Sequence, residues 1–442
     1  MNEMTGVATS DADVGSYVVD HYPPIEEWTV DAVGADALPA LDREPADTPL
    51  GLYLHIPFCR KHCHFCYFTV LTGQRDEDIA RYTDLLVREW SLYVARPAIG
   101  ARTPSFIYIG GGTPSVLSAA QLQTLVARLT QVTSWTGAEE IALECEPSTV
   151  SEVKLRALRH MGITRLSLGI ETFDNSLLEL NGRAHKAVDA VQAFTWARSL
   201  DFPHINVDLL AGILGETDET WRQTLATTIR LSPDSVTIYP MELPATSAIG
   251  ADAVNRGGRF STAIAPWAMR RRWMREAFEM LEAAGYQPIT GYTLAKDPAR
   301  ARLVYVERVA EGVDLVGLGL GAVGHFHGIN VQNYADGSTY ATAIDRGELP
   351  LARAYQSTAE ERMIRELILQ LKRGVLKPSY FIEKYGVDIL RRFPSQFAAL
   401  RADGYVASVT PEAVRLTRDG LLRVDALLPR FFLPHHPGSV AS

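Results

Sequence analysis

No apolar run in the 442 residues approaches the roughly 20 needed to cross a bilayer, so no helical membrane span is expected. Basic side chains are outnumbered 43 to 52, a formal net charge of −9, which argues against a general nucleic-acid binder. The opening MNEMTGVATSDADVGSY is acidic and polar, and has neither the apolar core of a secretory signal nor the arginines of a transit peptide. A cytoplasmic protein is the expectation. Internal repeats and low-complexity tracts are missing too. Cysteine is scarce, with four in all, yet Cys59, Cys63 and Cys66 crowd together. A disulfide framework spreads an even set along a small secreted chain, whereas close thiols in a long cytoplasmic one point to metal or cluster chemistry. The 47% hydrophobic and 21% charged content excludes a mostly disordered chain.

At roughly 150 residues per domain the length suggests about three units. Residues 1–48, rich in Asp, Pro and Ala, read as a loosely structured extension. Short apolar runs follow at 51–56, 105–109, 141–145, 165–169, 205–209 and 235–239, alternating with helical patterns at 77–94, 119–132, 150–160, 187–200, 219–231 and 266–284. This alternation predicts an α/β fold, a parallel sheet with helices outside it, resembling a partial (β/α)6 TIM-like barrel. Its expected extent, with the α/β segment that follows, is 49–350. Helical patterns at 360–372, 377–385 and 388–403, then apolar pairs at 405–409 and 413–416, predict a small helical, winged-helix-like domain over 351–442. The strands end at the cysteine loop, Gly110-Gly111-Gly112-Thr113, Glu144, Glu171, Asp208 and Tyr239. Polar residues at the C-terminal strand ends of such barrels converge on one mouth, so one active site is expected there.

The cysteine loop reads Cys59-Arg-Lys-His-Cys63-His-Phe-Cys66, a C-x3-C-x2-C spacing. Thiolates favour iron–sulfur clusters or zinc. Structural zinc wants four protein ligands; His62 and His64 would have to complete the shell, because Cys145 stands alone far along the chain. Three thiolates suit a 4Fe-4S cluster with one iron left open to a small molecule. Zinc, or simple packing, is the competing reading.

LYLHIPFCRKHCHFC (52–66), IGGGTPS (109–115) and LTRDGLLRVDALLPRFF near the end together resemble the radical S-adenosylmethionine (SAM) superfamily, and within it the oxygen-independent coproporphyrinogen III oxidase-like group. The resemblance implies that Cys59, Cys63 and Cys66 hold the cluster and that SAM chelates its open iron. Reductive cleavage then yields a 5′-deoxyadenosyl radical. It implies two SAM molecules, with Tyr53, Gly111, Gly112, Thr113 and Glu144 toward the first, and Phe65, Arg183 and Asp208 toward the second. Pro240 and Val323 match looser pocket positions.

Glu171, in RLSLGIETF, departs from the family's glutamine. A carboxylate only accepts hydrogen bonds where an amide also donates. Glu171 is therefore the candidate catalytic residue, to grip ribose hydroxyls, pair with a sulfonium or act as a base; the competing reading is a tolerated isostere. Arg183 and Asp208 have a surface ion pair as their plain alternative. His325 and His327 would share a face in an extended segment, and packing or substrate contact is preferred over a metal pair. Cys145 reads as a buried small residue.

Two reactions share this cofactor set. The porphyrin enzymes decarboxylate propionates oxidatively, whereas the methylase and cyclopropanase branch moves a one-carbon unit from the second SAM to an sp2 carbon. DHYPPIEEW (20–28) lacks the porphyrin enzymes' N-terminal segment, Tyr67-Phe68-Thr69 replaces their further cysteine, and CYFTVLTG (66–73) looks like the second branch. The expectation is therefore one-carbon transfer to a small-molecule natural product, with an external electron donor and a partner methyltransferase for cyclopropane closure. The alternatives are coproporphyrinogen III oxidation and a haem-binding chaperone using His325 or His327.

Overall fold

The computed structural model describes residues 19, 21–242, 247 and 264–436. Six parallel strands carry the barrel: β1 (Leu50–Ile56), β2 (Phe106–Gly111), β3 (Glu140–Cys145), β4 (Arg165–Glu171), β5 (His204–Ala211) and β6 (Ser235–Pro240). They are nearly continuous apolar runs because helices cover their outer face and a packed interior their inner one. Those helices are α1 (Asp76–Val94), α2 (Ala119–Val132), α3 (Glu152–His160), α4 (Ala187–Ser199), α5 (Asp218–Leu231) and α6 (Trp267–Ala283). In α1 the buried Ile79, Tyr82, Leu86, Trp90 and Tyr93 recur every three or four residues, the stripe that docks a helix on a sheet. Ser118 and Thr217 start α2 and α5 by accepting the backbone N–H groups of Gln121 and Thr220.

The sheet does not stop at six strands. After β7 (Gln287–Pro288) and β8 (Thr293–Ala295) come β9 (Asp314–Leu318), β10 (Val323–Phe326), β11 (Ile329–Asn333) and β12 (Leu351–Gln356), giving the order β12-β11-β10-β9-β1-β2-β3-β4-β5-β6-β8-β7. β9 lies parallel to β1, and the outermost strands β12 and β7 are not paired with each other among the described residues. The C-terminal ends of β1–β6 and β9 thus face one side, where the cysteine loop, the glycine turn and Glu171 lie.

Three expectations need correction. The sheet runs to Gln356, past the boundary expected at 350, because β12 pairs with β11. The 388–403 helix is two, Ile389–Arg392 and Pro394–Ala402, since Pro394 cannot continue the first. The described part of the N-terminal extension is not loose. Trp28, Ala37, Ala40 and Leu41 are buried, and Tyr22 joins a second core with α7 (Ala359–Leu371) and the small sheet of β13 (Val375–Leu376), β14 (Val406–Val409) and β15 (Val414–Leu416). No helix among the described residues is long and apolar enough to cross a membrane.

One buried acid ties α1 to the strands beside β1. Glu89 is fully buried and accepts hydrogen bonds from Gly319 N (2.9 Å), Asn333 Nδ2 (2.6 Å) and the Tyr340 hydroxyl. Burial outweighs these donors and raises its pKa from 4.5 to about 8. Between those values the folded chain keeps a proton that the unfolded chain has lost, so stability falls as pH rises through the window. Chemical denaturation from pH 5 to pH 8.5 is expected to show a loss of order 3–5 kcal/mol from this group. A loss smaller by that amount in Glu89→Gln checks the assignment.

Candidate active site at the barrel mouth

The cysteine loop leaves β1 and is closed at its base by Phe58–Cys59, which pairs with Leu71–Thr72. The glycine turn after β2 lies directly against it: Gly112 N donates to Ile56 O and Thr113 N to Phe58 O, each at 2.8 Å. A Cβ on Gly112 would come within 3.0 Å of the Cys59 sulfur and of Phe58 O, so only glycine lets the two loops meet. Thr113 Oγ1 is 3.2 Å from Cys59 Sγ, and Arg183 Nη1 donates to Cys63 Sγ at 3.4 Å.

His62 and His64 do not complete a zinc shell. Their rings hydrogen-bond to Cys66 O (3.3 Å) and Leu180 O (3.0 Å), and His64 N to Asn181 O, which pins the loop beside the short helix Asn175–Leu180. The three half-exposed sulfurs are also not among the donor triads gathered within 4.8 Å; among the described residues that triad lies elsewhere. Thiols spread more widely than one ion gathers them suit the corners of a cubane. Burial pushes the Cys59 thiol up and the Cys66 thiol to about 11, so stable thiolates need strong positive charge beside them. Arg183 supplies part of it, and its buried Nε has no hydrogen-bond partner among the described residues. The donor set fits an iron–sulfur cluster.

Around the loop the acids are shielded. Glu144, at the end of β3, accepts from the Tyr108 hydroxyl (2.7 Å) and from Gly111 N (3.1 Å). Burial raises it to about 7, with Asp208 adding to the rise and these hydrogen bonds opposing it. Gly111 holds φ +116, where a side chain would strike His55, so the turn needs glycine to present its N–H to Glu144. Tyr53 lies on β1 with its ring stacked on Tyr108, centroids 6.1 Å apart, and its hydroxyl 3.2 Å from His55 Nδ1. Asp208 accepts from Ser167 (2.7 Å) and Asn206 Nδ2 (2.8 Å), and burial raises its pKa.

Glu171 sits on a β-bulge, where Gly169 pairs with Asp208 but Glu171 with Leu209, and its φ is +65. A non-glycine residue in the left-handed region stores strain, and such strain gathers at functional positions. The bulge brings its carboxylate to 3.6 Å from Arg183 Nη2, while Arg183 Nη2 also donates to Gly169 O. Burial raises Glu171 to about 7 against the pull of Arg183. Arg183 and Glu171 are thus a nearly buried pair, not a surface one.

The remaining expected positions spread out. Phe65 packs with Leu177, Leu210, Ile213 and Met241. Pro240 ends β6 in register with Ala211, while Val323 lies across the sheet beside Gly317, which is itself in register with Tyr53. His325 and His327 do not share a face: His327 and Gly328, at φ 51 and 78, make the tight turn between β10 and β11. His325 is buried on Asn330 Oδ1 (2.9 Å) and driven to about 3 by burial. Cys145 is buried, its thiol raised to about 12. Sequence reasoning missed Tyr108, and also His185, which is buried with Nδ1 2.7 Å from Glu146 Oε1. The only signal for Tyr108 was its place on the strand entering the glycine turn.

The model of the radical SAM superfamily matches residues 53–227, the stretch that builds this mouth. The barrel has the radical SAM fold. Radical SAM proteins use a 4Fe-4S cluster and SAM, and Cys59, Cys63 and Cys66 are the partly exposed thiols of the matched stretch, Cys145 being buried. Coproporphyrinogen III oxidase (HemN) from Escherichia coli, described as a radical SAM enzyme, superposes with a TM-score of 0.81 at 25% identity, covering 93% of this chain and 96% of its own. The heme chaperone HemW of Bacillus subtilis (strain 168) is 29% identical over 84% of this chain and 96% of its own. The oxygen-independent coproporphyrinogen III oxidase of Pseudomonas aeruginosa is 28% identical over 88% and 84%. The chain is therefore similar to oxidases and a chaperone over most of its length. The narrower resemblance to methylases and cyclopropanases has no counterpart among these relatives.

Proposed function

We propose that this chain is a radical SAM enzyme that removes a hydrogen atom from an organic substrate at the barrel mouth, and that the substrate undergoes oxidation as in the relatives named coproporphyrinogen III oxidase. The observation that carries this reading is the placement of the cysteine loop, with Cys59 against the glycine turn and Cys63 against the Arg183–Glu171 pair. When bound, the cluster supplies the electron that cleaves SAM to a 5′-deoxyadenosyl radical. The chain's own part is to bind and orient. The glycine turn and Glu144 form one recognition patch on β2 and β3, and Arg183, Glu171 and Asp208 a second around β4 and β5, and the two SAM molecules would be divided between them. The buried walls exclude water from a reactive radical.

A second reading, one-carbon transfer from the second SAM, is favoured by one feature. Glu171 is a carboxylate, held on a strained bulge, where the family carries an amide. A carboxylate complements a sulfonium and can take up a proton, and an amide does neither. Anaerobic turnover with methyl-deuterated SAM separates the two: oxidation gives 5′-deoxyadenosine free of deuterium, whereas one-carbon transfer gives deuterated 5′-deoxyadenosine. Neither product appearing under reducing conditions overturns both. Haem carriage, the trait named in the HemW relative, gains nothing from His325, which is enclosed.

A further inference from the structure

Away from the mouth, metal-ligating side chains meet where the N-terminal segment, the start of α7 and the 434–436 turn come together. Glu361 lies in the first turn of α7, where its Oε2 accepts Thr358 N (2.6 Å) and its Oε1 the Tyr355 hydroxyl (2.7 Å). His436 Nε2 is 2.7 Å from Glu361 Oε1, and its Nδ1 is 2.7 Å from Glu27 Oε2. His435 Nε2 stands 3.7 Å from the same Glu361 oxygen. Ligand atoms of Glu361, His435 and His436 all lie within 4.8 Å of one another, the one such triad among the described residues. The Glu361 and His436 side chains are 2% and 0% exposed, while that of His435 is 63% exposed.

Several geometric features point to what this triad could hold. Two imidazoles and a carboxylate are a borderline donor set that suits zinc. A tetrahedral ion 2.0–2.1 Å from its ligands keeps them about 3.3 Å apart, and the observed 2.7 and 3.7 Å straddle that spacing. His436 turns its other ring nitrogen to Glu27, the outer carboxylate that fixes the tautomer of a metal-bound histidine. His435, facing solvent, leaves an entry side.

We propose that Glu361, His435 and His436 bind a single zinc ion, with Glu27 orienting His436, and that this ion fastens the N-terminal segment and the 434–436 turn onto α7. The site is separate from the cysteine loop and independent of the reaction proposed there. The test loads cluster-reconstituted full-length protein with zinc sulfate, desalts it, and measures zinc by elemental mass spectrometry and X-ray absorption. The expected result is a single retained zinc with a nitrogen and oxygen shell near 2.0 Å and no sulfur shell near 2.3 Å, the distances of these ligand types. In chelator competition His435→Ala, an exposed position whose loss leaves the fold intact, should weaken binding by about a hundredfold, and Glu27→Gln by about tenfold. Cys59→Ala should bind zinc as the parent does. No retained zinc, a sulfur shell, or parental affinity in His435→Ala overturns the proposal.

Discussion

Alanine at Cys59, Cys63 or Cys66 is expected to bring reductive SAM cleavage to background and remove the iron–sulfur absorbance, while the far-ultraviolet circular dichroism and thermal midpoint barely move. The three thiols lie partly exposed on a loop that branches from the end of β1, and none belongs to a hydrophobic core. Their loss therefore removes the metal chemistry without opening a cavity. Cys145→Ala should do the reverse. Its sulfur is buried in the main core, so the substitution costs about 1 kcal/mol and leaves cluster loading and SAM cleavage intact. Iron and sulfide content, SAM cleavage and melting temperature measured across the four variants check both halves.

Arg183→Met should damage both stability and activity. The guanidinium touches Cys63, Gly169 O and Glu171 in a nearly closed space, its side chain being 11% exposed. Removing it strands the Glu171 carboxylate, a loss of about 3 kcal/mol where one partner of a buried pair is deleted. Burial already raises Glu171 to about 7, and Arg183 is what restrains it from going higher. Where turnover depends on the ionised carboxylate, the parent's rate climbs as pH rises through about 7. Arg183→Met moves that limb to higher pH, and Glu171→Gln, which puts back the family's amide, abolishes it. Rates of 5′-deoxyadenosine formation from pH 6 to 9 read these outcomes directly; an unchanged limb in Glu171→Gln would remove Glu171 from the mechanism.

The strand-and-helix alternation was legible because each signal is local. β1–β6 announce themselves as apolar runs, and α1–α6 as stripes with caps such as Ser118 and Thr217. The thiols, the glycine turn and the acids at the strand ends were legible for the same reason, since each sits where a strand stops. What escaped depends on register and long-range contact. Nothing local says that Glu171 occupies a bulge, that β12 extends the sheet past 350, or that His327 bends a hairpin. Tyr22, Glu27 and Trp28 lie in a stretch too poor in periodicity to betray that it packs on the distant C-terminal helices, a pairing set by tertiary burial.

The linear strand order carries a consequence for how large a molecule the enzyme accommodates. A cylinder closed on itself fixes its bore through strand number and stagger. Among the described residues the row of strands ends at β12 on one flank and β7 on the other. On the function proposed above, a bulky substrate would be discriminated by the loops above the strands, where the cysteine loop, the glycine turn and Glu171 lie, rather than by a fixed bore.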